Sequence, residues 1–200
     1  MKKEVRFLQG EVEVRKAAEG EADSRTIVGY AAVFESDSRD MGFIERLDKR
    51  CFDGVIEKSD VVALYNHSEA PGVLARSVNG EGTLKLIVDD RGLRCEFEAP
   101  NTQLGNDMLE SVKRGDIRGM SFAFTTEKDN WEHDNEGNYK RTIVKVDRLY
   151  DVSLVVTPAY DATSVETKGL DALKAKELLD QHKEAAPDAW YYDTLRKSIY

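Results

Sequence analysis

Along residues 26–156 the apolar residues recur at every second position or in short unbroken runs. Only once, between residues 101 and 115, does the period lengthen to about 3.6. A chain patterned this way must bury the faces of several short strands with little helix to cover them. Residues 26–34 (TIVGYAAVF) are rich in β-branched and aromatic side chains and predict a buried strand. Residues 61–67 predict a second, apolar until it ends in Asn66 and His67. Residues 83–88 and 93–99 alternate with period two around Asp89-Asp90-Arg91-Gly92, which is a hairpin signal. Further strands are expected at 43–47, 119–126, 139–146 and 149–156, with one helical turn at 52–56. In the helical stretch Leu104, Met108, Leu109 and Val112 share a face, Asn101 or Thr102 is the N-cap, and Gly115 lies just past the end. The pattern predicts a mostly β chain with helices (α+β), closed or nearly closed into an antiparallel barrel carrying surface helices.

Three stretches differ in character. Residues 1–25 are charge-rich, 26–163 form the patterned body, and 164–200 read as a charged helical tail. In that tail Leu170, Leu173, Leu178 and Leu179 are the sizeable apolar positions, before Pro187 and Trp190-Tyr191-Tyr192. The formal charge of −9 argues against a general binder of nucleic acid or anionic membrane, because such surfaces need clustered Lys and Arg. No run approaches the length of a membrane span, and no apolar stretch follows the basic residues at positions 2–6, so no secretory signal is expected. Cys51 and Cys95 stand apart with no CxxC pattern, which suits two free thiols in a reducing cytosol. His67, His133 and His182 are too few and too scattered for a metal site, so no metal and no cofactor are expected.

Polar residues interrupt the strand pattern at three places. His67 ends an apolar strand, Ser121 sits within Gly-Met-Ser-Phe-Ala-Phe, and Asp151 lies within Leu-Tyr-Asp-Val-Ser-Leu. An unpaired carboxylate in a half-buried strand is costly, so Asp151 calls for a partner. A hydroxyl, an imidazole and a carboxylate are together the parts of an activated nucleophile, and their chain order is immaterial. By residue type alone each also fits a structural role, and Ser153, on the same strand face as Asp151, is an equal candidate nucleophile.

Several segments in order carry a resemblance. They are residues 29–34 (GYAAVF), 64–67 (LYNH), 74–76 (LAR), 114–124 (RGDIRGMSFAF) and 152–160 (VSLVVTPAY). Over residues 26–163 the chain resembles the tailed-phage prohead protease family, serine endopeptidases that mature the procapsid on a fold similar to the herpesvirus assemblin barrel. By position the resemblance implies His67 as general base and Ser121 as nucleophile. It favours Asp151 as third member, with Asp147 and Glu45 as competitors. The chain departs from the family pattern at Ser68, where an acid is usual, at Ala75 within Leu74-Ala75-Arg76, and at Lys49-Arg50-Cys51-Phe52.

The implied substrate is the scaffold, or the scaffold-like segment of the major capsid protein, and the enzyme itself. Implied surroundings are the portal and procapsid shell, a homo-oligomer, and a location inside the procapsid assembling in the bacterial host cytoplasm. The alternative is a catalytically inactive capsid-assembly or scaffolding protein of the same fold.

Overall fold

A computed structural model describes residues 3–9, 12–16, 24–133 and 138–156. The chain divides into two units, Met1–Ala159 and Tyr160–Tyr200, and every described residue falls in the first. The predicted tail helix and its aromatic cluster lie outside the described residues.

In chain order the described elements are β1 (Glu4–Gln9), β2 (Val12–Val14), β3 (Thr26–Val33), β4 (Ile44–Leu47), a 3-10 turn at Ile56–Lys58, β5 (Asp60–Tyr65), β6 (Ala75–Val78), β7 (Glu81–Gly82), β8 (Leu84–Val88), β9 (Gly92–Glu98), α1 (Gln103–Arg114), β10 (Gly119–His133) and β11 (Tyr139–Val155). Local chemistry explains several boundaries. The Asp89 carboxylate accepts hydrogen bonds from the backbone N–H of Arg91 (2.9 Å) and Gly92 (3.0 Å), which closes the β8–β9 hairpin as an Asx turn. Thr102 caps α1, its hydroxyl accepting from Gly105 N–H at 3.2 Å. Gly115, at φ 76°, ends the helix in the left-handed conformation that a glycine reaches without a Cβ penalty.

Two sheets result. One runs β1-β10-β11-β5-β6-β7, with β4 pairing the outer part of β11; the other runs β2-β3-β9-β8. Ile27, Leu84, Leu93 and Phe97 from the smaller sheet share one core with Val61, Phe122, Phe124 and Leu149 from the larger, and with Met108, Leu109 and Val112 of α1. Aromatic contacts run through it, Phe34 to Phe52 (6.1 Å), Phe52 to Phe122 (5.9 Å) and Phe122 to Phe124 (4.8 Å between centroids).

The mostly β expectation holds, with one α-helix among the described residues. Among the described residues neither sheet closes into a barrel, since the pairing of neither returns to its starting strand. Nor is the larger sheet purely antiparallel, because β11 runs parallel to both β4 and β5. Those parallel neighbours reach β11 by long connections, which alternation along single strands cannot reveal. The strands expected at 139–146 and 149–156 are one element, and 119–126 extends to His133, because bulges carry the pairing across the polar residues between. No described helix is long and apolar enough to cross a membrane.

Candidate active site

The long β10–β11 hairpin sets the platform. Ser121 pairs with Ser153 and Ala123 with Asp151, and residues directly opposite in an antiparallel ladder share a face. Ser121, Asp151 and Ser153 therefore project from one side of the sheet. Beside them β5 runs parallel to β11, with Val62 next to Asp151 and Leu64 next to Ser153.

At the end of β5 the chain makes a tight turn in which Ser68 N–H donates to Tyr65 C=O at 3.1 Å. Its central residues, Asn66 (φ 49°) and His67 (φ 57°), are both left-handed, as in a type I′ turn. Asparagine tolerates that conformation well; histidine does so at some cost, and such strain concentrates at functional sites. The turn is tied to β11 by Asn66 N–H to Leu154 C=O (3.0 Å) and His67 N–H to the Ser153 hydroxyl (3.3 Å).

So held, the imidazole bridges the other two groups. His67 Nδ1 lies 2.5 Å from Asp151 Oδ1, and Nε2 lies 2.6 Å from Ser121 Oγ. Asp151 and Ser121 are almost wholly buried, whereas the His67 side chain keeps 18% of its surface open to solvent. Burial works against ionisation of Asp151, but hydrogen bonds and charge from His67, with bonds from Lys3 and Ser153, outweigh it and hold the carboxyl below the ordinary range. Lys3 Nζ donates to Asp151 Oδ2 at 3.0 Å, and the Ser153 hydroxyl donates to Oδ1 at 2.8 Å.

Other candidates fall elsewhere. Ser153 is fully buried; its hydroxyl donates to Asp151 Oδ1, accepts from His67 N–H and lies 3.3 Å from His67 Nδ1. Asp147 would share the face of Asp151 in an unbroken strand, but the register slips between Ala123 and Phe124 and again between Thr125 and Thr126. Asp147 instead accepts from the Thr125 hydroxyl at 3.0 Å. Glu45 is buried in an ionic cluster with Arg6 and Arg141. Arg76, of the Leu74-Ala75-Arg76 segment, is exposed and pairs with Asp60. His133 packs on Tyr139 at the hairpin's far end (4.7 Å between centroids), and His182 lies outside the described residues.

Sequence reasoning missed β1. It lies antiparallel along β10, with Arg6 opposite Phe122 and Phe7 opposite Ser121. The Ser121 hydroxyl reaches Arg6 C=O at 2.7 Å as well as the imidazole, and its single hydrogen can serve only one of them at a time. The signal was present: Glu4 and Arg6 alternate with Val5 and Phe7 at strand period.

A hydroxyl in line with an imidazole and a buried carboxylate is the arrangement by which serine hydrolases activate their nucleophile. Comparison with known proteins gives the family. The Caudovirus prohead serine protease profile matches residues 11–177, and the chain belongs to that family. No curated protein matches it in sequence. Among solved structures, the bacteriophage T4 capsid assembly protease, gp21, is similar with a TM-score of 0.44 and 11% identity, covering 78% of this chain and 99% of that one.

Proposed function

We propose that the chain is a serine endopeptidase in which Ser121 is the nucleophile, His67 the general base and Asp151 the group that orients and charges the imidazole. The observation that carries this reading is the continuous contact Asp151–His67–Ser121, built from two strands and the turn that follows a third, and largely buried. In the reaction Ser121 Oγ bonds to the substrate's carbonyl carbon as its proton passes to His67 Nε2. The imidazolium returns that proton to the leaving amine, and water releases the acyl group by the same route in reverse order. Asp151 keeps Nδ1–H directed at itself, leaving Nε2 free to accept.

The substrate is the scaffold or the scaffold-like segment of the major capsid protein, cut inside the assembling procapsid in the host cytoplasm, and the protease also cuts itself. Residues 26–163 are the protease domain, 1–25 a charged leading segment and 164–200 a tail. Contacts with the portal and shell, and self-association, belong to the same reading.

Co-expression with the major capsid protein of the same phage tests it, with mass spectrometry following both proteins. Wild type yields defined truncations and Ser121→Ala yields none. Intact proteins from both, in shells that assembled and contain the chain, would overturn the protease and leave a structural assembly component.

A further inference from the structure

Beside the proposed nucleophile a second group of charges surrounds the first strand. Glu45 and Arg141 are buried on β4 and β11, 3% and 8% exposed, and are paired with each other at 3.0 Å. Each also holds a side chain of β1. Arg6 reaches Glu45 through Nε and, at 2.7 Å, through Nη2, while its guanidinium lies 5.6 Å from the centre of the Phe124 ring. Glu4 takes two bonds from Arg141 and one from the Thr126 hydroxyl at 2.6 Å. Arg141 is further held by Asp129 at 2.7 Å.

The position of β1 gives this cluster its meaning. β1 is an extended segment added to β10 in continuous register over six residue pairs, the mode in which sheets accept peptide ligands. The Arg6 carbonyl touches Ser121 Oγ and Phe7 lies opposite Ser121, so the Arg6–Phe7 peptide bond is the one that spans the nucleophile. Resting on the protease reading above, we infer that β1 occupies the place of a substrate strand. Glu45 then selects a basic side chain at the residue that donates the scissile carbonyl, and Arg141 with Thr126 selects an acidic one two residues earlier.

The charges support the direction of the preference. Without β1 the fixed groups are Glu45, Arg141 and Asp129, two acids and one base. A cation beside Glu45 and an acid beside Arg141 each meet an opposite charge, whereas an acid beside Glu45 puts like charges together at a buried site. Side chains two apart on a strand share a face, so one docked peptide reaches both groups. The intervening position, held by Val5, is 41% exposed and is under no such constraint. Acyl transfer at this bond forms the Ser121 ester with the Arg6 carbonyl and releases Phe7 as a free amine; water then frees the Arg6 carboxylate.

The test maps every bond cut when the wild-type full chain is co-expressed with its capsid protein, with Ser121→Ala as control. Lys or Arg is expected immediately before the cut, with Asp or Glu enriched two residues earlier. Replacing the basic residue of a mapped site by Glu should slow its cleavage at least about tenfold, while changing the residue between the two should not. On the enzyme, Glu45→Gln should lose that discrimination, so that a mapped site and its Glu-substituted form are cut at similar rates. The substrate substitutions decide the matter if this variant fails to fold. Ser121-dependent cleavage indifferent to a basic residue at that position would overturn the inference alone. Absence of any Ser121-dependent cleavage would overturn it together with the protease reading.

Discussion

The two serines that face Asp151 differ in what their hydroxyls can do. Ser121 Oγ lies 2.6 Å from His67 Nε2, whereas Ser153 Oγ donates to the carboxylate and lies 3.3 Å from Nδ1, the nitrogen that faces Asp151. Asp151→Asn should therefore lower kcat by about 10⁴-fold, since the amide no longer fixes the tautomer. Ser153→Ala should leave most of the activity and cost about 1 kcal/mol in stability for the lost buried hydrogen bond. Comparing peptide cleavage and urea denaturation for the two variants separates the roles. If Ser121→Ala kept its activity while Ser153→Ala lost it, Ser153 would be the nucleophile.

Acid sensitivity follows from the same groups. Both Asp151 and Glu4 are opposed by burial, yet are held below the ordinary carboxyl range. His67, Lys3 and Ser153 do this for Asp151; hydrogen bonding and charge from Arg141, with Arg6 and Thr126, do it for Glu4. A depressed carboxyl contributes stability that is complete above its unfolded value and disappears as pH falls through its folded one. The unfolding free energy should thus be flat near neutrality and fall below about pH 4. Urea midpoints across pH should show less of that fall in Asp151→Asn.

At the scale of elements, two glycines of the α1 region make opposite demands. Gly115 needs its left-handed φ, and a methyl group there would meet only ordinary contact with Arg118 at 3.7 Å, so Gly115→Ala should cost about 1–2 kcal/mol of backbone strain. Gly105 has no such φ, but a Cβ there would lie 2.0 Å from the Pro100 carbonyl oxygen. Overpacking should make Gly105→Ala the worse substitution, at about 3 kcal/mol, despite alanine's better helix propensity. Thermal unfolding of both variants gives the order.

Elements were legible where a single strand or helix carries its own signal. The caps of α1, the Asp89 turn and the alternation of β3, β8 and β9 follow from local chemistry. Ser121, His67 and Asp151 stood out because each breaks an apolar pattern, and the structure brings them into contact. Ruling out Asp147 needed the bulges, which depend on the partner strand and leave no mark at positions 147–151. Parallel pairing of β5 and β4 with β11, and the open ends of both sheets, are likewise properties of tertiary arrangement. Strand β1 lies within the charge-rich residues 1–25, where its alternation is hard to tell from a run of charges, whereas Glu4 and Arg6 are matched by buried charges from residues 45 and 141.

Across the whole molecule both thiols lie in the core, and their chemistry follows. Burial pushes the Cys95 thiol up to about 12, and burial with the nearby Asp48 charge raises that of Cys51. Neither should react with a thiol reagent in the native protein at neutral pH, and both should react on addition of denaturant. Reaction of either before the fluorescence change of unfolding would mean that the core opens locally.

His67 lies in the turn after β5, a strand that pairs in parallel with β11, while Ser121 and Asp151 belong to one hairpin. Hairpins close quickly, and pairings between strands far apart in sequence form late. The hydroxyl and carboxylate can therefore meet across the hairpin before the β5–β11 pairing brings the imidazole to them. The three-group contact is thus complete only once the long-range pairing of the larger sheet has formed, which ties it to a late stage of folding rather than to the hairpin alone.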